Sequence, residues 1–158
     1  MSSLAYQPIG IIHSPFEGIE NVPIQPGAAS GIRGTVEVFA EFSNGLQDLD
    51  GFSHIILLYH FHRVTQRRLV VIPFLDRQPR GVFATRAPTR PNPIGLSVVR
   101  LLAVQGSTLE IENVDILDGT PLLDIKPYAP TFDHHEVERT GWVGNASVQR
   151  KQSDGRFK

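Results

Sequence analysis

Residues 96–104 (LSVVRLLAV), the connection Gln105, Gly106 and Ser107, and residues 108–114 (TLEIENV) decide the fold. Two aliphatic, β-branched runs separated by three residues centred on a glycine read as a β-hairpin. Strands joined this tightly are antiparallel. Outward from the hairpin the same pattern recurs: residues 9–13, 34–39, 53–61, 69–72, 81–84 and 122–128 also read as strands. The chain's 14 glycines and 12 prolines punctuate these runs, and no helical apolar period persists. Only residues 43–49 read as a short helix. Eight or so short strands with tight connections predict an all-β chain, a closed barrel or a sandwich.

With 158 residues, 41% of them hydrophobic, the chain has the size of one folding unit with a substantial core. Residues 1–132 are expected to form it. The polar tail, residues 133–158, is expected to fray, with an RNA-touching or partner-packing role as the alternative. There is no cysteine. Disulfides and thiolate zinc sites are therefore excluded, and a reducing compartment, by default the cytosol, is expected. The first eight residues lack a basic run followed by an apolar stretch, and no apolar segment approaches the ~18 residues a membrane span needs. Secretion and membrane insertion are not expected.

Lysine and arginine number 15 against 16 acids, so the protein lacks the positive excess of chains that coat nucleic acid. Any RNA contact must be local. Positive charge does cluster in the middle, at Arg63, Arg67, Arg68, Arg77, Arg80, Arg86, Arg90 and Arg100; a basic face and scattered solvated side chains both fit this.

The sequence has no G-x-G-x-x-G after a strand, no P-loop, no H-E-x-x-H and no G-x-S-x-G, which argues against a Rossmann-type cofactor site. Three dense segments remain: 22–27 (VPIQPG), 81–97 (GVFATRAPTRPNPIGLS) and 115–128 (DILDGTPLLDIKPY). In the second, Pro88, Pro91 and Pro93 stiffen the loop, so Arg86 and Arg90 could be presented as preset donors to phosphate or carboxylate. Equally, the prolines could merely end strands. In the third, period two places Asp124, Lys126 and Tyr128 on one strand face, as a structural brace or a working polar site. Histidine supplies a rival: His54, His60 and His62 share parity and could hold zinc, which would suggest a metal hydrolase. The surrounding apolar strand argues for hydrogen-bonded structural histidines instead, and no metal is expected.

The strings PIGIIHSPF, VPIQPG, GFSHIILLYHFHR, GVFATRAPTRPNPIGLSVVRL and VDILDGTPLLDIKPYAP resemble, in order and spacing, the TsaA-like family. Its studied members are tRNA threonylcarbamoyl-adenosine N6-methyltransferases. The resemblance covers roughly residues 6–133. It implies a single antiparallel β-barrel with short helical connections, S-adenosylmethionine as methyl donor, tRNA gripped at the anticodon loop, and a homodimer with cofactor sites near the subunit interface. It also implies that Gln25, Pro26, Gly27, His62, Arg63, Arg86, Leu96, Glu112, Asn113, Val114 and Asp115 contact the cofactor. Some bacterial relatives continue for a further C-terminal region; if that extension grips tRNA, this protein is expected to recognise its RNA differently, to do so through a partner, or to methylate something else.

Arg90, Asn92, Asp118, Asp124, Lys126 and Tyr128 lie in matching motifs and are candidates to hold the RNA. The nucleophile of such a reaction, N6 of threonylcarbamoyl-adenosine, has its lone pair delocalised, so removing its proton matters, and a carboxylate or neutral histidine can do it. Asp115, Asp118, Asp124 and His62 are candidates for that base, with Lys126 and Tyr128 beside them as further catalytic candidates. Arg90 or Lys126 would pair with the threonyl carboxylate. A noncatalytic module sensing adenosylmethionine or a nucleotide is the alternative.

Overall fold

The protein is described by a computed structural model covering residues 2–20, 22–24, 26–145 and 155–157. Eight strands form: β1 (Gly10–His13), β2 (Arg33–Val38), β3 (His54–His60), β4 (Val70–Val71), β5 (Arg80–Gly81), β6 (Ile94–Gln105), β7 (Thr108–Glu112) and β8 (Thr120–Pro127). Six of them close a barrel in the order β1-β2-β7-β6-β3-β8, all pairs antiparallel, while β4 and β5 form a separate two-stranded sheet. Of the barrel and the sandwich that the short β-branched runs left open, the closed barrel implied by the family resemblance is the observed architecture.

Alternation fills the barrel. Along β3, Ile55, Leu57 and Tyr59 point inward and are buried, while His54, Ile56, Leu58 and His60 are partly exposed on the outside. Ile12, Val36, Val99, Leu109, Ile111 and Leu122 meet them from the other strands. Each such aliphatic side chain contributes roughly 1.5–3 kcal/mol by leaving water. Where β1 crosses β2 the chains come so close that a Cβ at Gly10 would collide with the Glu37 carbonyl oxygen.

Two local expectations are corrected. Residues 43–49 do not form the short helix expected of them; two 3-10 segments, Ala40–Leu46 and Leu49–Gly51, stand there, separated by Asp48 in the left-handed conformation (φ 69°). Of the expected strand 81–84 only Gly81 lies in strand, as the end of β5, because Val82–Ala84 turns as a 3-10 segment closed by the Thr85 N–H donating to Val82 O. In β8 the outer face on which period two places Asp124 and Lys126 does form, but a bulge precedes it. The register shifts between Leu58/Tyr59 on β3, with Tyr59 opposite Leu122 and Leu58 opposite Asp124, so Leu123 is an inserted bulge residue. Leu122 faces the core; beyond the bulge, Asp124 and Lys126 lie on the outer face.

The described parts of the tail are not frayed: residues 141–145 and 155–157 form 3-10 turns, and Phe157 is buried with Val71, Val82, Ala87 and Phe74. No described helix is long and apolar enough to cross a membrane.

Candidate active site

At one end of the barrel a cavity of about 850 Å³ is walled by loops that are far apart in the sequence. Its floor is built from β3 and β6. Tyr59 stands opposite Gly95, and its ring lies where a Cβ on Gly95 would have to be. Phe61 meets that ring edge-on, with centroids 5.5 Å apart. The Tyr59 hydroxyl and Ser97 Oγ are hydrogen-bonded at 2.8 Å, and Ser97 Oγ donates to Asp115 Oδ1 at 2.6 Å. A single hydroxyl cannot donate twice, so when Asp115 is ionised the Tyr59 O–H donates to Ser97. Burial, and then the nearby Asp115 charge, push the Tyr59 phenol far above its ordinary range, so it stays protonated.

Asp115 is the ionisable centre of this chain. Burial pushes its carboxyl up to about 7, against the Ser97 hydrogen bond and the Arg86 guanidinium, which lower it. Its position follows from the turn after β7. Asn113 adopts the left-handed conformation (φ 68°), and its Oδ1 accepts from the Gly31 N–H at 3.0 Å. Val114 is then buried in the core, and the chain crosses the barrel mouth through Asp115, Ile116 and Leu117, all of which line the cavity.

His62 lines the cavity just past the end of β3. Burial, followed by Arg63 and His60, holds it below the usual imidazole range, so it is neutral at pH 7. Its Nδ1 is buried without a hydrogen-bond partner among the described residues. Such an orphan in a cavity wall is available to a polar ligand or to water. Arg63 Nη1 reaches the Glu17 carbonyl at 3.4 Å. Arg90 also lines the cavity, and its Nη1 donates to the carbonyls of Thr85 and Ala87 at 2.9 and 3.0 Å. The guanidinium thereby braces the proline-rich loop that was expected to be stiff.

The structure thus brings together His62, Arg63, Arg86, Arg90, Leu96 and Asp115 of the expected site. Val22, Pro23 and Ile24 of the VPIQPG segment join them; Gln25 lies outside the described residues, as do the side-chain positions of Pro26 and Gly27. Other candidates are placed elsewhere. Glu112, Asn113 and Val114 do not line the cavity, since β7 runs to Glu112 and only the residues after the Asn113 turn reach it. Asp118 holds the chain instead: its Oδ1 accepts from the Ser14 N–H at 3.1 Å and faces His13 Nδ1 at 3.3 Å. Asp124 and Lys126 pair with each other at 2.8 Å on the outer face, Tyr128 lies edge-on to His54, and Asn92 is exposed on the RPNP turn. None of these four lines the cavity.

The site also contains residues not expected from sequence: Tyr59, Ser97, Ile116, Leu117, Phe74, Phe83 and Trp142. Glycine opposite a tyrosine at the end of an otherwise aliphatic strand was the available signal for the first. The rival metal site does not assemble, because His54 and His60 lie on β3 while His62 lies past its end. No group of three or more metal-ligating side chains occurs among the described residues.

A closed antiparallel barrel with a ligand cavity at its mouth, walled by aromatic rings and edged by arginines around one half-ionised carboxyl, defines a barrel-type binding or transferase domain. The chain belongs to the tRNA-methyltransferase O N-terminal domain family, whose model matches residues 11–134. It is 58% identical over 156 residues to a "Probable S-adenosyl-L-methionine-binding protein" of Pyrococcus abyssi, covering 98% of this chain and 85% of that one. It is 39% identical over 140 residues to the tRNA (adenine(37)-N6)-methyltransferase of Escherichia coli, covering 82% of this chain and 60% of that one. The crystal structure of TrmO from P. aeruginosa superposes with a TM-score of 0.76 at 41% identity, over 90% of this chain and 62% of that chain.

Proposed function

We propose that this protein transfers a methyl group from S-adenosylmethionine to N6 of threonylcarbamoyl-adenosine beside the anticodon of tRNA. The observation that carries this reading is the convergence of His62, Arg63, Arg86, Leu96 and Asp115, distant in sequence, on one cavity. The wall fits the cofactor's chemistry: aromatic rings for a purine, arginines for a carboxylate, the orphaned His62 Nδ1 for a polar group. Bound there, S-adenosylmethionine supplies an electrophilic methyl on a sulfonium.

The chain's own residues do the rest. The apolar walls, Ile116, Leu117 and Leu96 among them, exclude water, and the loops fix the approach of the nucleophile. Of the carboxylates considered as base, Asp115 alone lines the cavity. Asp115 would take the N6 proton on a carboxylate oxygen as N6 accepts the methyl group that the bound cofactor would supply. A pKa of about 7 suits that task, because a useful fraction is ionised at neutral pH while the group remains a competent acceptor. Ser97 and Tyr59 hold the carboxyl in place. Arg90 is the cavity residue proposed to meet the threonyl carboxylate.

The outer face of β3 and β6 presents Ile56, Leu58, Ile94, Leu96 and Val98, aligned across the register pairs Ile56↔Val98, Leu58↔Leu96 and His60↔Ile94. Ile94 and Leu96 are 42% and 45% exposed, an unusual outlay of apolar surface for a sheet face in water. This face supports a homodimer. Leu96 belongs to both the face and the cavity, which would put the cofactor near the interface, with Lys126 reaching RNA from its rim. The cytosol is the proposed compartment.

The test is mass spectrometry of bulk tRNA, from cells lacking the endogenous activity, after incubation with protein and cofactor. A gain of one methyl on threonylcarbamoyl-adenosine is expected. The relatives' printed names include proteins described only as binding S-adenosylmethionine, which favours a sensing module as the second reading; calorimetric binding with no mass gain would select it. In the same assay Lys126→Ala is expected to lower methylation several-fold while leaving cofactor affinity within twofold, since Lys126 lies outside the cavity. A proportionate loss of both refutes an RNA role for it.

A further inference from the structure

The described C-terminal residues lie beyond the part of the chain matched by the family model, yet they enter the cavity. Trp142 Nε1 donates to the Ala84 carbonyl at 2.7 Å, next to Phe83 and Thr85, both of which line the cavity. The Arg80 guanidinium lies 6.0 Å from the centroid of the Trp142 ring and helps to hold it. Phe157 is buried against Val71, Val82 and Ala87 and meets Phe74 edge-on, with centroids 4.9 Å apart. Arg156 Nη1 donates to the Pro73 carbonyl at 3.0 Å, and its guanidinium lies 5.1 Å from the Phe74 centroid. The segment is therefore anchored at both described ends to the loops that wall the cavity.

These anchors give the cavity an aromatic side. Phe74, Phe83, Trp142 and Phe157 all line it, and two of the four come from the C-terminal segment. Aromatic side chains bind purines by stacking and dispersion, with little dependence on the ring's substituents. A ring already fixed by a hydrogen bond, as Trp142 is, loses little freedom when a ligand arrives.

We propose that the C-terminal segment, through Trp142 and anchored by the buried Phe157, forms the purine-binding wall of this cavity, so that it and not the barrel alone sets affinity for the adenine ring. The proposal rests on the reading of the cavity as an adenosylmethionine site. Both the cofactor and the modified nucleotide carry adenine, and the experiment separates them.

Trp142 is the sole tryptophan, so its fluorescence reports on the wall directly. Full-length protein is titrated with S-adenosylhomocysteine and, separately, with an anticodon stem-loop, by fluorescence and by calorimetry. Adenosylhomocysteine is expected to quench Trp142. Trp142→Ala is expected to weaken its binding about tenfold, a loss typical of one base–aromatic stack, and Phe157→Ala to weaken it severalfold by loosening the anchor of the segment. Trp142→Phe keeps an aromatic face and should restore most of the affinity; Trp142→Leu keeps bulk alone and should not. Circular dichroism melts check that the barrel persists in each variant. Weakening confined to the stem-loop supports the wall and assigns it to the substrate's adenine. Binding of both ligands within twofold of wild type in Trp142→Ala and Phe157→Ala, or equal rescue by phenylalanine and leucine, overturns the proposal. If wild-type protein binds no adenosylhomocysteine, the reading of the cavity falls and the wall with it.

Discussion

Asp115 carries opposite consequences for stability and for activity. Its carboxyl titrates near 7 in the folded protein against an ordinary value of 3.8, so the folded state holds the proton more tightly than the unfolded chain. Folding stability contributed at this position is complete below about pH 4 and falls as pH rises through 7. Three pH units correspond to about 4 kcal/mol at full weight, and solvent at the cavity mouth reduces this to ~2 kcal/mol. Asp115→Asn removes the ionisation. The variant should therefore gain stability over wild type between pH 5 and 8, by urea melts, while losing roughly 100- to 10,000-fold in methyl transfer. Wild-type kcat/KM should rise with pH through about 7. A variant that melts in parallel with wild type at every pH, or methylates normally, removes Asp115 from the role proposed. The motif resemblance pointed to this residue, but its neighbours were legible only in part. Ile116 and Leu117 carry no local signal of a site, and only the left-handed Asn113 shows that the chain swings into the cavity there.

Among the elements, the crossing of β3 and β6 sets the site. Gly95→Ala would drive a methyl into the Tyr59 ring, with Tyr59 Cζ at 2.6 Å and Phe61 Cζ at 2.8 Å. Both rings would have to move. The expected result is a loss of 1–3 kcal/mol in denaturant melts, about the cost of overpacking a core. Methyl transfer should fall further than stability alone explains, because the displaced Tyr59 hydroxyl leaves Ser97. Unchanged activity at reduced stability would uncouple the Tyr59–Ser97–Asp115 chain from catalysis. The hairpin of β6 and β7 was visible in the sequence within two residues at each end, since alternation and a glycine turn are local signals. The bulge at Leu123 was not. Period two placed Asp124 and Lys126 on one face, and they share the outer face opposite Leu58 and Ile56, but only the partner strand decides that an extra residue is inserted before them.

On the scale of the whole molecule, the apolar outer face of β3 and β6 predicts association of two copies. Val98→Lys places a charge at its centre, opposite Ile56. Light scattering should show a wild-type dimer and a variant monomer with the barrel's melting behaviour retained; a monomeric wild type at micromolar concentration would remove the interface. The closed barrel itself was legible as a class of fold but not as an order of strands, because β1 meets β8 through pairs such as Gly10 with Leu122, which no local pattern encodes.

That closure has a bearing on synthesis. On the ribosome, β1 and β2 can zip early, as can β6 and β7, but both seams of the last staves wait for β8. Until residues 120–127 have cleared the exit tunnel, β1 and β3 each expose an unpaired edge. Such edges recruit other strands while they last. The nascent chain therefore passes through a window in which shielding by a chaperone, or fast translation of its final third, decides how much of it reaches the closed barrel.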